Sequence, residues 1–372
     1  MTAPLRVAAH NGARLFGGGE KWAALLLQGL LERGHTVHLF CNHEEVAAKA
    51  RTFGVDASVA PLGGHLMLPH VWAFAGHLRR FDPDVVLFTT FKKVWLGGMA
   101  ARLAGVERVV SRIGLDTDLP GKHWSYRVAF RRWVDAVLVN ADGIRRDVVD
   151  GLPEYPPGRV ATVYDGVRLG GAVPPRDEAR RLLGLPAGVP LVGTVARMAG
   201  QKRLDRFLDT VALLPGVHGA LAGSGPEEGA LRARARAMGL EGRVHFLGWR
   251  YDVTTVLGAL DLFLVTSDRE GMANAMLEAM AAGIPVVSTP VSGAEEALAP
   301  GAEARSPGLV VEPDPARLAE ACAGVLAVGA VALAMGQEGA RRVRERFSFP
   351  AMLDAWEAVL GGQPPSAWHQ GR

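Results

Sequence analysis

The sequence predicts an α/β protein made of two doubly wound domains. Short apolar segments rich in β-branched residues alternate with longer Ala-, Leu- and Arg-rich segments of helical period, which is typical of buried parallel strands joined by crossover helices. The series of strands starts again near residue 190, and 372 residues exceed what a single hydrophobic core usually serves. We therefore expect two facing domains with a cleft between them, because doubly wound sheets bind ligands at the carboxyl ends of their strands.

Six strands are predicted in each half of the chain. In the first half they are LRVAAH, TVHLF, DVVLFTT, RVVSRI, AVLVNA and VATVYDG. In the second half they are PLVGTVARM, HGALAG, RVHFLGW, DLFLVTS, IPVVST and GLVVEP. Each is short, apolar and bounded by residues typical of turns, as expected for the strands of a parallel sheet.

The domain boundaries follow from a change in composition after the sixth strand. The segment DGVRLGGAVPPRDE is rich in Gly and Pro and poor in apolar residues, so it is predicted to be a linker. We expect an N-terminal domain over residues 1–168 and a C-terminal domain over residues 169–345. PAMLDAWEAVLGG predicts a helix within a third segment, residues 346–372. This helix could pack back on either domain, and the N-terminal domain is the candidate.

Composition excludes several classes of protein. A hydrophobic content of 49% and a charged content of 21% fit a soluble globular protein. Up to Asp165 there are 20 basic and 16 acidic residues, which suits an anionic substrate or membrane surface but is too small an excess for nucleic-acid binding. Cys41 and Cys322 are expected to be reduced core residues. With no signal peptide and no run of about 18 apolar residues, a cytoplasmic location is expected.

Two carboxylates flank the predicted start of a helix in EGMANAMLEAMAAGIPVVS. Glu270 and Glu278 lie eight positions apart, which on one continuous helix would separate their directions by roughly 80°. Gly271 permits an irregular backbone and Asn274 is the predicted N-cap, so Glu270 is expected in a loop and Glu278 in the first helical turns.

The chemistry of such a helix start favours a ligand with both phosphates and hydroxyls. The free amides and dipole of a helix N-terminus attract phosphate. Carboxylates repel phosphate, so Glu270 and Glu278 are expected to accept hydrogen bonds from hydroxyls, as in a nucleotide sugar. The alternative is two solvated glutamates on a surface helix, which the spacing alone favours.

Glycines and cations follow several predicted strands. Gly17, Gly18 and Gly19 open a helix after the first strand, where their amides could approach an oxyanion; a plain tight turn is the alternative. The pattern G-x-G-x-x-G and an acidic end to the second strand are missing, which disfavours a nicotinamide dinucleotide. Arg197 and Lys202 in GTVARMAGQKRLD suit a diphosphate, or are solvated loop charges.

The second half as a whole resembles the family-4 retaining glycosyltransferases of the GT-B class, glycosyl transferases group 1. The resemblance rests on VARMAGQKRLD, on LAGSGPEEGALRARARAMGLEGRVHFLGWRYDV, on LDLFLVTSDREGMANAMLEAMAAGIPVVST and on the spacing between them, and it covers most of residues 190–300. It implies two facing Rossmann-like domains, with the acceptor on the N-terminal and the donor on the C-terminal domain.

The resemblance also implies roles for particular residues. Arg197 and Lys202 would hold the donor diphosphate, and Glu270 would hold the transferred sugar, so these three are the candidate catalytic residues. Glu278 would accept from the ribose hydroxyls. The remaining candidate donor-binding residues are Gly18, Gly19, Arg112, Gly223, Trp249, Arg250, Gly271, Met272, Ala273 and Asn274.

The activity implied is retaining transfer of a hexosyl group from a UDP- or GDP-linked sugar to a hydroxyl of a glycan or lipid-linked acceptor, as in cell-surface polysaccharide or lipopolysaccharide synthesis. No metal and no other cofactor are expected. Two alternatives remain: a nucleotide-sugar epimerase on the same twin-domain plan, and a noncatalytic binder of nucleotide sugars.

The first half departs from the family pattern at one position. Members of the family often carry a histidine after the strand that here reads RVVSRIG, whereas this chain has Arg112, Ile113 and Gly114. Arg112 is therefore the candidate to contact donor or acceptor. His10, at the end of the first strand, is a weaker substitute, and a buried, hydrogen-bonded histidine is the commoner case.

Two further motifs allow a metal or membrane interpretation. Asp116-Thr117-Asp118 has the D-x-D pattern of a metal site in another glycosyltransferase fold, but the cationic pair already neutralises the diphosphate, so a polar loop or helix cap is favoured. PGKHWSYRVAFRRW interleaves basic and aromatic residues, as in helices that lie on the inner membrane surface. A half-buried helix with its aromatic side chains packed inward is the slightly favoured alternative.

Overall fold

Two parallel sheets, one in each of two units, organise the chain in the computed structural model. Unit 1 comprises Met1–Gly166 and Pro350–Arg372, and unit 2 comprises Val167–Phe349. The structure describes residues 3–63, 67–115, 124–168, 171–300 and 306–364.

Unit 1 contains the first seven strands and, before residue 166, the first six of the helices described. The strands are β1 (Arg6–Asn11), β2 (Thr36–Cys41), β3 (Ala57–Val59), β4 (Val85–Phe88), β5 (Arg108–Ile113), β6 (Ala136–Val139) and β7 (Val160–Thr162). The helices are α1 (Gly18–Glu32), α2 (Glu44–Arg51), α3 (Met67–Phe81), α4 (Val94–Leu103), α5 (Trp124–Trp133) and α6 (Asp142–Gly151). A 3₁₀ turn, Phe91–Lys93, precedes α4, and a second one, Pro157–Arg159, precedes β7.

The sheet of unit 1 has the order β3-β2-β1-β4-β5-β6-β7, and its neighbouring strands pair in parallel. The chain runs outward from β1 to β3 and then returns to place β4 on the other side of β1. This reversal creates a topological switch point between β1 and β4, where loops on opposite faces diverge and ligands usually bind.

Unit 2 repeats the plan with six strands. They are β8 (Leu191–Val195), β9 (His218–Ala222), β10 (Val244–Gly248), β11 (Leu262–Val265), β12 (Val286–Ser288) and β13 (Gly308–Val310). Its helices are α7 (Arg176–Leu183), α8 (Leu204–Ala212), α9 (Glu228–Ala237), α10 (Val253–Ala259), α11 (Asn274–Ala281), α12 (Ser292–Leu298), α13 (Pro315–Ala327) and α14 (Gly329–Arg346). A 3₁₀ turn, Gly200–Lys202, precedes α8.

The sheet of unit 2 has the order β10-β9-β8-β11-β12-β13 and is also parallel. Its switch point therefore lies between β8 and β11. The loops that follow these two strands are residues 196–203 and residues 266–273.

Apolar periodicity accounts for the elements around these sheets. In β4 all four residues are buried, as expected for a strand covered by helices on both faces. In α8, Leu204, Phe207, Leu208 and Val211 are buried, which is the i, i+3, i+4, i+7 pattern of a helix with one apolar face. At α13 the carboxylate of Asp314 accepts from two backbone amides at 3.0 Å and caps the helix.

All twelve predicted strands are present, and one strand was missed. β3 has only three residues, lies at the edge of the sheet, and is partly exposed, so its sequence carries no apolar run. The predicted linker is shorter than expected, because Asp165 is buried in unit 1 and α7 begins at Arg176. Between these two residues the chain passes from unit 1 to unit 2 at Gly166–Val167.

The last helix, α15 (Phe349–Leu360), packs on unit 1. The ring of Trp356 lies 5.4 Å from that of Trp22 in α1, centroid to centroid. The guanidinium of Arg33 forms ion pairs of 2.7 Å with Asp354 and Glu357. An apolar contact and two ion pairs thus attach this C-terminal segment to α1.

Length and apolar composition decide whether one of the described helices could span a bilayer. None has, by itself, the length and apolar composition of a bilayer span. The consecutive helices α13 and α14 reach those limits only together, across a bend of 101°.

Candidate active site

The two loops at the switch point of unit 2 are fastened to each other by hydrogen bonds. The backbone amide of Asp268 donates to the carbonyl oxygen of Gln201 at 2.9 Å. The hydroxyl of Thr266 donates to the carbonyl oxygen of Lys202 at 3.0 Å. Side chains from the two loops are therefore held side by side, although some sixty residues separate them in sequence.

An ion pair between Lys202 and Glu270 lies at this junction. The ammonium of Lys202 contacts Oε1 of Glu270, and the hydroxyl of Ser267 donates to the same oxygen at 2.8 Å. Glu270 is only 8% exposed, so its charge is compensated by the lysine rather than by water. In the described residues, Oε2 of Glu270 has no hydrogen-bond partner and can accept from a ligand hydroxyl.

Arg197 follows β8 and points a second cation towards solvent. Its side chain is exposed, and it forms no ion pair or hydrogen bond with any residue in the described ranges. An arginine fork without an internal partner, two residues beyond the carboxyl end of a central strand, is available to bind an anion.

The loop after β11 leads into α11 with a run of unbonded amides. The backbone N–H groups of Gly271 to Asn274 donate no hydrogen bond within the described parts of the chain. The loop itself is fixed, because the carbonyl oxygen of Gly271 accepts from the amide of Gly293 at 2.7 Å. Together with the dipole of α11, these amides favour a negatively charged or hydroxyl-rich group.

The two glutamates lie where the sequence predicted. Glu270 is in the loop, and Glu278 is the fifth residue of α11 and is half-buried. The predicted cap is wrong by one position: Asn274 is the first helical residue, and Ala273 occupies the N-cap. Without a side-chain cap, the first amides of α11 stay unbonded. Met272 and Ala273 are buried, while Asn274 is partly exposed.

Gly223 begins a third loop, which follows β9 and packs against the loop after β8. A Cβ at this position would lie 2.0 Å from the carbonyl oxygen of Ala196, and the residue has φ +133°. Its amide donates to the carbonyl oxygen of Gly248 at 2.7 Å. Glycine is required here for the loops after β8, β9 and β10 to pack together, so packing alone explains this residue.

Trp249 and Arg250 follow Gly248 at the end of β10. The indole of Trp249 is 53% exposed and lies edge-on to Tyr251, with 6.1 Å between the ring centroids. The guanidinium of Arg250 is paired with Asp252 at 2.6 Å, and this hydrogen bond lowers the pKa of Asp252. The indole of Trp249 thus remains available to stack on a ligand, whereas the guanidinium of Arg250 is occupied by Asp252.

A network of charged side chains at the base of the two loops was not predicted from the sequence. Arg203 pairs with Asp205 at 2.9 Å and with Asp268 at 3.0 Å, and Arg206 pairs with Asp268 at 2.7 Å. Arg203 adopts a left-handed backbone with φ +47°, and its guanidinium lowers the pKa of Asp205. The motif QKRLDR carries these charges, but their partner in the second loop could not be found from local spacing.

In unit 1, the loop after β1 leads into α1 through Gly17, Gly18 and Gly19. A Cβ on Gly18 or Gly19 would meet no atom within 4 Å. Packing within the described structure therefore gives no reason for glycine at these two positions. The assignment of Gly18 and Gly19 to donor binding stays a prediction. The space that a Cβ would point into is open at both residues.

Arg112 is held inside unit 1 by three neighbours. Its guanidinium pairs with Asp165 at 2.9 Å and lies 3.7 Å from the ring of Trp22. It is only 8% exposed, and the side-chain amide of Asn140 also donates to Asp165 at 2.8 Å. A Cβ on Gly114 would lie 2.2 Å from this guanidinium. These contacts explain Arg112 structurally, and its predicted contact with the donor stays untested.

His10 is buried, as the sequence made the commoner case, but neither of its ring nitrogens has a hydrogen-bond partner among the described residues. It is 0% exposed, and its ring lies 5.3 Å from Phe74 and 6.0 Å from Phe88. Burial lowers the pKa of His10 to about 3, so the ring is neutral at physiological pH.

The D-x-D pattern and the basic aromatic helix α5 are the two remaining motifs of the sequence. Asp116-Thr117-Asp118 lies outside the described residues, and within those residues no group of three His, Cys, Asp or Glu side chains could hold a metal.

In α5, Phe130 is fully buried, and Trp133 packs on Trp95 at 4.9 Å between ring centroids. This packing agrees with the half-buried helix that the sequence slightly favoured; Lys122 and the side chain of Trp124 lie outside the described residues.

Two doubly wound parallel sheets, with ligand-type loops at the switch point of unit 2, define the class: the chain has the GT-B fold of glycosyltransferases. The structure of Anabaena HepE in complex with UDP and glucose superposes with a TM-score of 0.83 and covers 96% of this chain and 100% of that chain. The sequence identity is 20%, so this likeness establishes the fold.

The chain belongs to glycosyltransferase family 4. The model described as Glycosyltransferase Family 4 matches residues 16–170, and that described as Glycosyl transferases group 1 matches residues 189–327. The chain is 32% identical over 363 residues to the lipopolysaccharide core biosynthesis glycosyltransferase LpsE of Rhizobium meliloti (strain 1021), which covers 94% of this chain and 97% of that protein.

A second relative matches over a shorter length. The GDP-mannose-dependent alpha-mannosyltransferase of Mycobacterium tuberculosis (strain CDC 1551 / Oshkosh) is 30% identical over 239 residues, 60% of this chain and 60% of that protein. The family and fold predicted from the sequence are thereby confirmed.

Proposed function

We propose that the protein is a retaining, metal-independent hexosyltransferase that moves a sugar from a nucleoside diphosphate to a hydroxyl of a glycan or lipid-linked acceptor. The observation that carries the proposal is the Lys202–Glu270 ion pair at the switch point of unit 2. The same loop after β8 carries Arg197, whose side chain has no partner among the described residues. This arrangement supplies cations for a diphosphate and a buried carboxylate for a sugar hydroxyl, with Lys202 and Glu270 in direct contact.

The cations act on the leaving group. When the bond between the anomeric carbon and the diphosphate oxygen breaks, negative charge grows on the diphosphate. Arg197 and Lys202 stabilise that charge, and the amides of residues 271–274 add fixed dipoles. Because Glu270 holds the ammonium of Lys202 in place, little reorganisation is needed during the reaction.

The carboxylates of Glu270 and Glu278 accept hydrogen bonds from hydroxyls of the donor. Oε1 of Glu270 is occupied by Lys202 and Ser267, so Oε2 is the oxygen offered to a hydroxyl of the transferred sugar. Glu278, one turn further into α11, accepts from the ribose hydroxyls. The exposed ring of Trp249 borders the base. Gly223 and Arg250 support this region through loop packing and the pair with Asp252.

Retention is proposed to arise by displacement on one face of the sugar. The acceptor oxygen forms its bond to the anomeric carbon on the face from which the diphosphate leaves. The departing diphosphate oxygen takes the proton of the acceptor hydroxyl. This route needs no enzyme nucleophile on the opposite face.

The names of the relatives support a choice of donor and of acceptor class for this proposal. One relative is named for GDP-mannose, and one solved structure of the same fold contains UDP and glucose, so a UDP- or GDP-linked hexose is the proposed donor. LpsE is named for lipopolysaccharide core biosynthesis, which favours a cell-surface glycan acceptor. We further propose a cytoplasmic enzyme that meets a lipid-linked acceptor at the inner membrane surface.

The test starts with the donor. Native mass spectrometry across UDP- and GDP-linked sugars identifies which one binds, and product analysis with and without candidate glycan acceptors follows. A transferase consumes the donor rapidly only with acceptor and gives a product of retained configuration. Epimerised donor without acceptor would support an epimerase, and binding without any turnover would support a noncatalytic binder.

A further inference from the structure

The switch point of unit 1 carries an excess of positive charge. The loop after β1, residues 12–17, contains Arg14, and the segment after β4, residues 89–93, contains Lys92 and Lys93. Neither segment contains an acidic residue, but the carboxylates of Glu45 and Glu20 accept from the amides of Phe16 and Gly17 at the end of the first one. In the described part of the chain, none of the three basic side chains has an ion-pair or hydrogen-bond partner.

Lys93 is the cation that the fold holds in place. Its aliphatic stem lies over Gly12, where a Cβ would be 2.8 Å from Cγ of the lysine. Its ammonium lies at Gly63, where a Cβ would be 2.7 Å from Nζ. Gly63 has φ +119°, a backbone conformation that other residues rarely adopt. Gly12 and Gly63 thus leave the space that the half-buried side chain of Lys93 occupies.

A half-buried ammonium without a counter-ion is costly. Burial lowers the pKa of Lys93, and the neighbouring charge of Lys92 lowers it further. Packing alone would be served better by an apolar side chain of similar length. The side chain is retained at the carboxyl edge of the sheet, between the two strands where ligands of doubly wound folds bind.

We propose that unit 1 binds a phosphate ester carried by the acceptor, with Lys93 as its fixed cation and Arg14 and Lys92 as its exposed ones. This inference rests on the proposed function, together with the N-terminal location of the acceptor that the family resemblance implies. Phosphate is favoured over a carboxylate because Lys93 has no carboxylate partner in the described residues and lies among further cations, and because lysine binds phosphate as a compact point charge.

Lysine acylation of the full-length protein tests the site directly. The chain has six lysines, at positions 21, 49, 92, 93, 122 and 202, so peptide-resolved mass spectrometry can follow each one. Inorganic phosphate is compared with sodium chloride and with acetate at equal ionic strength. Phosphate is expected to slow the acylation of Lys93 several-fold, with Lys49 on α2 unaffected as the internal control. Equal rates for Lys93 in phosphate, acetate and chloride would overturn the proposal.

A second measurement uses Lys93→Met, which keeps the stem over Gly12 and removes the charge. Phosphate should raise the Tm of this variant less than that of the natural chain or of the control Lys49→Met. An equal rise in all three would also overturn the proposal. Should Lys93→Met fail to fold, the acylation result on the natural chain decides.

Failure of this inference is distinguishable from failure of the proposed function. Protection of Lys93 requires no turnover, so a protected lysine in a chain that transfers no sugar refutes only the transferase. Sugar transfer to an acceptor without phosphate, combined with an unprotected Lys93, refutes only the phosphate site.

Discussion

Lys202 and Glu270 form an ion pair across two loops that lie 68 positions apart in sequence. The pair sits at the switch point of unit 2, and Ser267 donates to the same carboxylate oxygen. It links the cation proposed for the leaving group to the carboxylate proposed for the sugar. Removing either member therefore disturbs both the chemistry and the stability of the loop.

Lys202→Ala is expected to lower kcat by about tenfold or more, with a smaller change in KM for the donor. The reason is that charge on the diphosphate grows towards the transition state, so the lost interaction is stronger there than in the ground state. Steady-state kinetics of transfer measure the effect. A change confined to KM would contradict the assigned role.

The control must separate chemistry from folding, because Lys202→Ala leaves Glu270 buried without its partner. The double variant Lys202→Met/Glu270→Gln removes both charges and should regain stability relative to the single variant while remaining slow. Lys49→Ala, on α2 of unit 1, should alter neither property. Recovery of kcat in the double variant would show that the single variant was merely misfolded.

Transfer is expected to proceed without added metal. Arg197 and Lys202 supply the positive charge that a divalent ion would otherwise bring to the diphosphate. Activity should therefore survive EDTA treatment and gain nothing from manganese. If EDTA abolished transfer and manganese restored it, the Asp116-Thr117-Asp118 motif would become the first candidate for the metal site. Asp116→Asn/Asp118→Asn would then test that motif.

The fold was largely predictable because its signal is local. Each of the predicted strands is a short apolar run between turn residues, and such runs have few alternatives in an α/β protein. β3 escaped because three partly exposed residues at a sheet edge carry no such run. The end of the linker was also missed, since Pro174 and Pro175 precede a helix that begins at Arg176.

The site was predictable only as far as local motifs reach. Arg197, Lys202 and the loop from Glu270 were found because they lie at or shortly after the end of a predicted strand. The Lys202–Glu270 contact, and the pairing of Asp268 with Arg203 and Arg206, depend on the order of strands in the sheet. Strand order is a long-range property, so spacing along the chain cannot reveal it.

Arg112→Ala is expected to destabilise unit 1 by about 3–5 kcal/mol, because it leaves the buried carboxylate of Asp165 without its ion pair. The matched control is Arg131→Ala. Arg131 pairs with Glu154 at 3.0 Å, but the side chains are 68% and 64% exposed, so a loss of at most about 1 kcal/mol is expected. Urea denaturation measures both values.

The two proposed roles of Arg112 give different results. A structural residue loses stability first, and residual activity follows the folded fraction. If Arg112→Ala stayed as stable as the control and lost donor affinity, its contact with the donor would be supported and the structural explanation would be wrong.

His10 predicts a pH dependence of stability. Its pKa is lowered from 6.5 to about 3 in the folded chain, so between these values the unfolded chain binds a proton that the folded chain does not. Stability is therefore fully present above pH 6.5 and declines as the pH falls towards 3, by about 1.4 kcal/mol per pH unit from this group.

His10→Gln removes that titration and should flatten the decline of the unfolding free energy below pH 6.5. The measurement is denaturant unfolding of the natural chain and the variant at several pH values. His43→Gln, the same change at a partly exposed position before α2, is the control. Parallel pH profiles for the natural chain and His10→Gln would show that the buried ring does not remain neutral.

Association with an anionic membrane is expected to depend on the outward face of α5. Phe130 and Trp133 pack towards unit 1, whereas Arg127, Arg131 and Arg132 are exposed. Each basic residue near an anionic surface contributes about 1 kcal/mol, so Arg131→Glu/Arg132→Glu should release the protein from vesicles rich in anionic lipid. Sedimentation with vesicles measures the effect.

The vesicle experiment needs a control of equal charge, because the loss of two positive charges and the gain of two negative ones weakens attraction to an anionic surface at any position. Arg232→Glu/Arg236→Glu makes the same change on α9 of unit 2, where both side chains are exposed. Only the α5 variant should lose binding, while its donor hydrolysis persists because the three candidate catalytic residues, Arg197, Lys202 and Glu270, belong to unit 2. Equal loss in both variants would indicate a nonspecific charge effect. Unchanged binding in both would leave α5 as a helix that serves only the packing of unit 1.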